Sequence, residues 1–381
     1  MKIRTRLTAL SRALLLGSIL IGGYAMANLP QSATVVEVPA QTIQLTQEWD
    51  KTFPKSDKVE HRKVTFKNRY GITLVGDLYV PKNAKGKLAA IAISGPFGAV
   101  KEQSSGLYAQ HLAERGFVTI AFDGSYTGES SGLPRNTASP EINTDDFVSA
   151  VDFLGSLDNV DREKIGVLGI CGWGGFALNS AVSDPRIKAV AVSTMYDMTR
   201  VMADGYEIKM DPSPKGQYER VPAMTTEARY KMKQDLANSR WEAAANDYAL
   251  NGKAEDHLTP QDKITAETPR FVREYSNYYK TPRGFHPRSV NSTAGWNTAM
   301  IPSFINMPLL QRASELTAPA LVVHGEIAHS RYFGEDAFKS LGSKNKELYI
   351  VPNATHTDLY DDVAGKIPYD KFEQFFKANL K

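Results

Sequence analysis

Lys164-Ile165-Gly166-Val167-Leu168-Gly169-Ile170-Cys171-Gly172-Trp173-Gly174-Gly175-Phe176-Ala177-Leu178 is the stretch that decides the fold. Lys164 to Ile170 reads as a buried strand and Gly172 to Leu178 as the start of a helix, which leaves Cys171 at the corner. Small residues crowd that corner, because a nucleophile held on a strained strand-to-helix turn leaves little room for neighbouring side chains. Cys171 is the only cysteine of the sequence. A thiol there faces a helix N-terminus, whose unpaired N–H groups and positive dipole end favour thiolate, so the sequence predicts a depressed Cys171 pKa. The same N–H groups can hold an oxyanion once the sulfur has attacked a carbonyl. Two plainer readings compete. An inert core cysteine would not be expected at a corner flanked by Gly169, Gly172, Gly174 and Gly175. A nucleotide-binding glycine loop needs an acid at the end of the next strand, ~20 residues on, which Asp184-Pro185-Arg186-Ile187 does not supply.

The chain has 381 residues, 42% hydrophobic and 23% charged, a globular composition with apolar material for a large core. Its formal charge of +3 argues for neither nucleic acid nor a membrane surface as partner. Residues 1–27 read as a secretory signal peptide. Lys2, Arg4, Arg6 and Arg12 form a basic n-region, Ala13 to Met26 is an apolar run too short to span a bilayer comfortably, and Ala25-Met26-Ala27 is an A-x-A cleavage site. A periplasmic or secreted protein follows, with no stable membrane span after cleavage. A lone cysteine in such an oxidising setting is either buried or reactive.

Residues 28–58 form a polar N-terminal extension. Val59 to Phe66 and Ile72 to Val80 read as a hairpin, and Leu88 to Ser94 and Phe117 to Phe122 as strands buried on both faces, with a helix from Tyr108 to Arg115 between them. Thr144-Asp145-Asp146 caps a helix running to Leu157, and Ile187 to Thr194 is a further short strand. Alternation of strand and helix points to a parallel sheet. From Asp197 to Ser314 the chain turns charged, aromatic and helical in period, as an inserted cap would. Its Tyr275, Tyr278, Tyr279, Phe285 and Trp296 either line a pocket or pack the cap on the core. The α/β alternation resumes at Ala320 to Glu326 and Glu347 to Val351, and His356 follows in the loop after that last strand.

A thiol elbow, an acid after a later strand and a histidine after the last strand follow the order nucleophile, acid, histidine. The signal lies in Gly169-Ile170-Cys171-Gly172-Trp173-Gly174-Gly175, Phe122-Asp123 with Gly128-Glu129-Ser130, His324-Gly325-Glu326 and Ala354-Thr355-His356. On these the chain resembles the α/β-hydrolase superfamily, in its dienelactone-hydrolase-like branch with a cysteine nucleophile, over about residues 59–381. The resemblance implies an α/β fold: a mostly parallel twisted sheet flanked by helices, with core segments 59–196 and 315–381 and a mainly helical cap at 197–314. By position it implies Cys171 as nucleophile, His356 as general base, and the backbone N–H groups of Gly172 and Phe97 as oxyanion donors, since Pro96 has no N–H.

The chain departs from the family twice. Trp173 stands two after the nucleophile, where glycine is usual, and Ala328 stands where the family places its aspartate. The acid therefore stays open between Glu326, the first choice, and Asp197, with a Cys171–His356 dyad as the remainder. The implied activity is hydrolysis of an ester, thioester or lactone of a small-molecule acyl substrate, through an acyl-enzyme. Acyl transfer from the same intermediate, and a non-catalytic binding protein on a hydrolase fold, are the alternatives. No cofactor is implied, and a metal at His324, Glu326 and His329 lacks a second ligand cluster. Nothing in the sequence sets the oligomeric state.

Overall fold

The strands are β1 (Val59–Lys67), β2 (Thr73–Pro81), β3 (Leu88–Ser94), β4 (Val118–Phe122), β5 (Val160–Ile170), β6 (Ala189–Ser193), β7 (Ala320–Gly325) and β8 (Lys346–Val351). They form one eight-stranded sheet in the order β1-β2-β4-β3-β5-β6-β7-β8. This computed structural model describes residues 43–248, 258–293 and 295–381. The expected signal peptide, and the extension up to residue 42, lie outside them. β1 and β2 form the antiparallel hairpin, β2 meets β4 antiparallel, and every pair from β4 to β8 is parallel.

Helices α1 (Ser104–Glu114), α2 (Pro140–Gly155) and α3 (Trp173–Ser183) connect the first parallel strands. Between β6 and β7 lie α4 (Met198–Asp204), α5 (Thr226–Ala245), α6 (Arg270–Tyr279), α7 (Val290–Thr293) and α8 (Ile301–Asn306). α9 (Arg331–Ser340) follows β7, and α10 (Tyr369–Asn379) closes the chain. Both faces of the sheet are covered at its centre, which is why β4, β6 and β7 are buried without alternation. Ile91, Ile93, Leu168 and Ile170 pack with Tyr108, Leu112 and Phe372 on one face, while Ala90, Ala92, Val118 and Val167 pack with Phe147, Leu154 and Phe176 on the other.

Two expected helix starts move earlier in the chain, α1 from Tyr108 to Ser104 and α2 from the Thr144 cap to Pro140. α2 begins at Pro140 under Ser139, whose hydroxyl accepts from the Ile142 N–H at 3.3 Å, and Thr144 lies inside the helix with its hydroxyl donating to the Pro140 carbonyl at 2.7 Å. Serine at the cap followed by proline is a complete start signal, which leaves Thr144 nothing to cap. Asp146 is instead buried, accepting from Ser125 N–H and hydroxyl and from the Asn68 and Asn143 amides. Burial pushes its carboxyl up to about 6 against those donors.

The elbow sits at the C-terminal end of β5, between β3 and β6, where ligands of open parallel sheets bind. Close packing there leaves no room for a methyl group: a Cβ on Gly169 would lie 2.3 Å from the Trp173 carbonyl oxygen. Gly169→Ala is expected to cost about 2–4 kcal/mol, because backbone must move. Gly155→Ala, whose Cβ would meet nothing nearer than 3.6 Å at the end of α2, should be neutral or stabilising by up to ~1 kcal/mol. Denaturant unfolding of the two variants checks this, and equal costs would contradict it.

Candidate functional site

Cys171 has φ +55°, a left-handed backbone that a side chain rarely adopts. Three hydrogen bonds hold it there. Its N–H donates to Ser193 O at 3.0 Å, and its carbonyl accepts from the N–H groups of Gly174 and Tyr196, both at 2.9 Å. The elbow is thus pinned to the end of β6. Trp173, the residue that departs from the family, turns its indole away from the thiol into an aromatic cluster with Phe122, Phe147 and Phe176 at centroid distances of 5.6, 5.6 and 5.2 Å. Gly124 makes that possible, since a Cβ there would lie 2.3 Å from the indole ring.

Around the Cys171 sulfur lie the hydroxyls of Tyr360 and Tyr275 and the backbone N–H groups of Phe97 and Gly172. Those N–H groups converge from two sides, one from the turn after β3 and one from the elbow. Residues of the insertion clamp the first: the Asn291 amide donates to the Phe97 carbonyl, the Asn291 N–H to Gly98 O at 3.1 Å, and the Ser289 hydroxyl to Gly98 O at 2.8 Å. The expected thiolate is a different matter. Burial pushes the Cys171 thiol above its ordinary value, and the Tyr360, Phe97, Gly172 and Tyr275 donors do not offset it. Loss of hydration outweighs a few neutral dipoles when no cation supports the charge.

His356 is fully buried, and its hydrogen-bond partners among the described residues are three hydroxyls. Nδ1 faces Thr194 Oγ1 at 2.9 Å and the Ser330 hydroxyl, while Nε2 faces Tyr360 Oη at 2.9 Å. Thr194 is aimed by another left-handed residue conformation, φ +45°, at the end of β6. Neither expected carboxylate reaches the ring. Glu326 leaves β7 towards the β8 loop, where its Oε2 accepts the Asn353 N–H at 2.8 Å. Asp197 caps α4, with Oδ1 accepting the N–H groups of Thr199 at 3.0 Å and Arg200 at 3.1 Å. A carboxylate committed to a helix N-terminus has no lone pair aimed at the imidazole.

With no carboxylate beside it, burial drives the His356 pKa well below its ordinary value, and the His329 and His324 rings lower it further. Ser330, Thr194 and Tyr360 carry no signal of a site in the sequence, whereas Tyr275, expected to line a pocket or pack the cap, lines the cavity with Tyr279 and Trp296. Ser330 lies two residues beyond Ala328, and Tyr360 lies four beyond His356 across a single helical turn, a spacing that places both side chains on one side.

A cavity of about 430 Å³ opens over the thiol, towards the small end of the ~300–1,000 Å³ range of ligand sites. Met198, Val201, Tyr206, Phe271, Val272 and Trp296 give it an apolar wall, and among the described residues no Asp, Glu, Lys, Arg or His lines it. His356 does not line it, whereas Tyr360 does. His324 and His329 are not poised as metal ligands: His324 Nε2 lies 3.2 Å from Met195 O, and His329 Nε2 meets the Tyr196 hydroxyl. Among the described residues no group of three or more His, Cys, Asp and Glu is arranged to hold a metal ion.

A family model described as PETase, PET hydrolase-like, matches residues 55–205. The chain is 51% identical over 381 residues to the uncharacterized protein PA2218 of Pseudomonas aeruginosa, covering 99% of this chain and 96% of that protein. The crystal structure of PA2218 superposes with a TM-score of 0.80 at 53% identity, over 89% of this chain and 99% of that one. The uncharacterized protein YcjY of Escherichia coli is 32% identical over 310 residues, 80% of this chain and 94% of that protein. The α/β hydrolase GrgF from Penicillium sp. sh18 shares the fold, with a TM-score of 0.63 at 18% identity over 84% of this chain and 99% of that one.

Cys171 alkylation by iodoacetamide should follow a pKa above the ~8.5 of a free thiol, because desolvation opposes the thiolate. A half-maximal rate below about pH 7.5 would show an ionised thiol and contradict the neutral site.

Proposed function

The chain belongs to the α/β-hydrolases, in the family of PA2218 and YcjY, and from that premise we propose an exported hydrolase that cleaves uncharged esters, thioesters or lactones through an acyl-enzyme on Cys171. One observation carries it: the N–H groups of Phe97 and Gly172 lie around the sulfur, which lines a mainly apolar cavity. An acyl carbon seated on Sγ would place its oxygen against those two donors, each worth about 3–4 kcal/mol to the tetrahedral intermediate in such sites. Sγ attacks, His356 is the base that takes the thiol proton, and the alcohol or thiol leaves with a proton returned from the imidazole. Water, activated by the same base, then hydrolyses the thioester.

Export rests on the signal-peptide reading of residues 1–27. Among the described residues no helix is long and apolar enough to cross a membrane. Transfer of the acyl group to a bound alcohol or thiol is the second reading, favoured by an aromatic wall that offers water few partners. The uncharged lining selects the substrate: an acyl carboxylate buried there would lose its hydration without finding a cation.

Intact mass after incubation with butyryl and succinyl thioesters tests the proposal. The expected result is an adduct of butyryl mass on the wild type and none on Cys171→Ala, with the neutral acyl group preferred at least 100-fold. Turnover that survives Cys171→Ala would place the chemistry elsewhere. An adduct that clears only when an alcohol or thiol is added would favour the transferase.

A further inference from the structure

His356 is placed where a base is needed but not where a base can be reached. Its ring is fully buried and does not line the cavity. Tyr360 is the residue that meets both sides: its Oη lies 2.9 Å from His356 Nε2, and its side chain lines the cavity with Cys171. We propose that the Tyr360 hydroxyl is a catalytic residue, relaying every proton that passes between His356 and the thiol, leaving group or water. The proposal rests on Cys171 being the nucleophile.

The step balances through two coupled transfers. As Sγ bonds to the acyl carbon, the S–H proton passes to Tyr360 Oη while the Tyr360 O–H proton passes to His356 Nε2. The carbonyl π electrons become the oxyanion held by the Phe97 and Gly172 N–H groups. Collapse expels the alkoxide or thiolate, which takes a proton from Tyr360 as His356 returns one to it, leaving a thioester and a neutral imidazole. Water then attacks by the same route, and the carboxylic acid leaves as Sγ recovers its proton. No free tyrosinate forms, since a fully buried phenol among other tyrosines is held far from ionisation, so the transfers must be concerted.

The hydroxyls at Nδ1 fit this task. For Nε2 to accept, the neutral ring must carry its proton on Nδ1, and both Thr194 Oγ1 and Ser330 Oγ can accept from it there. Because they are neutral, the ring stays uncharged between turnovers and ready to accept. A parallel chain gives an internal control. Tyr275 also touches the sulfur, and its hydroxyl lies 3.0 Å from Tyr196 Oη, which in turn meets His329 Nε2. Tyr275 is therefore a second hydroxyl at the thiol that does not lead to His356.

The test is the single-turnover acylation rate with a p-nitrophenyl thioester, for the wild type, Tyr360→Phe, Tyr275→Phe, His356→Gln and the Tyr360→Phe/His356→Gln double variant. Tyr360→Phe and His356→Gln should each fall 10²–10⁴-fold, and the double variant no further, because the two act in series. Tyr275→Phe should fall less than Tyr360→Phe. A Tyr360→Phe rate within 3-fold of wild type beside a slow His356→Gln, or losses that multiply in the double variant, would overturn the relay. Should Tyr360→Phe not fold, 3-fluorotyrosine at position 360 keeps the shape and lowers the phenol pKa. The acylation rate at constant pH should then change by more than 3-fold, because the relaying hydroxyl is a stronger acid, and an unchanged rate would overturn the relay. Wild-type protein that forms no adduct with any thioester would refute the nucleophile reading itself, a result distinct from every outcome above.

Discussion

The left-handed backbone at Cys171 is the constraint on which the site depends. It turns the sulfur out of the sheet and turns the Gly172 N–H towards it, and it survives because the end of β6 supplies a hydrogen bond on one side and accepts the chain on the other. Strain of this kind costs about 1–3 kcal/mol and persists only where the surroundings leave no alternative. The surroundings here are crowded glycines, of which Gly169 and Gly124 have a measurable reason to be glycine, and the indole that departs from the family simply fills the space Gly124 vacates.

What distinguishes the site is that among the described residues nothing charged lines it. Thiol, imidazole and phenols are all buried, and burial pushes each towards its neutral form. A thiolate–imidazolium pair would need a cation or carboxylate to pay for its dehydration, and the nearest candidate acids are engaged in backbone caps. Charges are held instead one layer away. Lys101 lies buried against Asp123 at 2.9 Å and Glu102 at 2.7 Å, Lys63 meets Glu129 at 3.0 Å, and Arg288 of the insertion bridges Asp50 at 2.6 Å and Glu102 at 2.8 Å. This network ties the N-terminal extension, β1, the segment after the oxyanion turn and the insertion together. Removing one member would strand its partner, a loss of about 3–5 kcal/mol for a buried pair.

The fold was legible in the sequence because its signals are local. Buried strands such as Leu88–Ser94 and the elbow glycines declare themselves within a few residues, and the order of elements then leaves few topologies. The placement of Cys171 at the corner was legible for the same reason. The surroundings of His356 were not, because they are set by chain segments far apart: Thr194, Ser330 and Tyr360 meet only after β6, β7 and β8 are aligned side by side. Family position supplied Glu326 and Asp197 as candidate acids, but side-chain direction decided against contact, since Glu326 is drawn to Asn353 and Asp197 to the first turn of α4. Thiol ionisation was misjudged for a related reason. A helix N-terminus is visible in sequence, whereas the burial that outweighs it comes from segments far apart in the chain that meet around the thiol in the fold.

The protonation state of His356 is where this account is most exposed. ¹⁵N NMR of histidine-labelled protein, with the resonances assigned by difference against His356→Gln, reads it directly. The account predicts a neutral ring protonated on Nδ1, with Nε2 as acceptor, unchanged from about pH 8 down through the ordinary imidazole range near ~6.5. An imidazolium at neutral pH, or titration at or above ~6.5, would mean that a carboxylate supports the ring after all and would contradict the uncharged site.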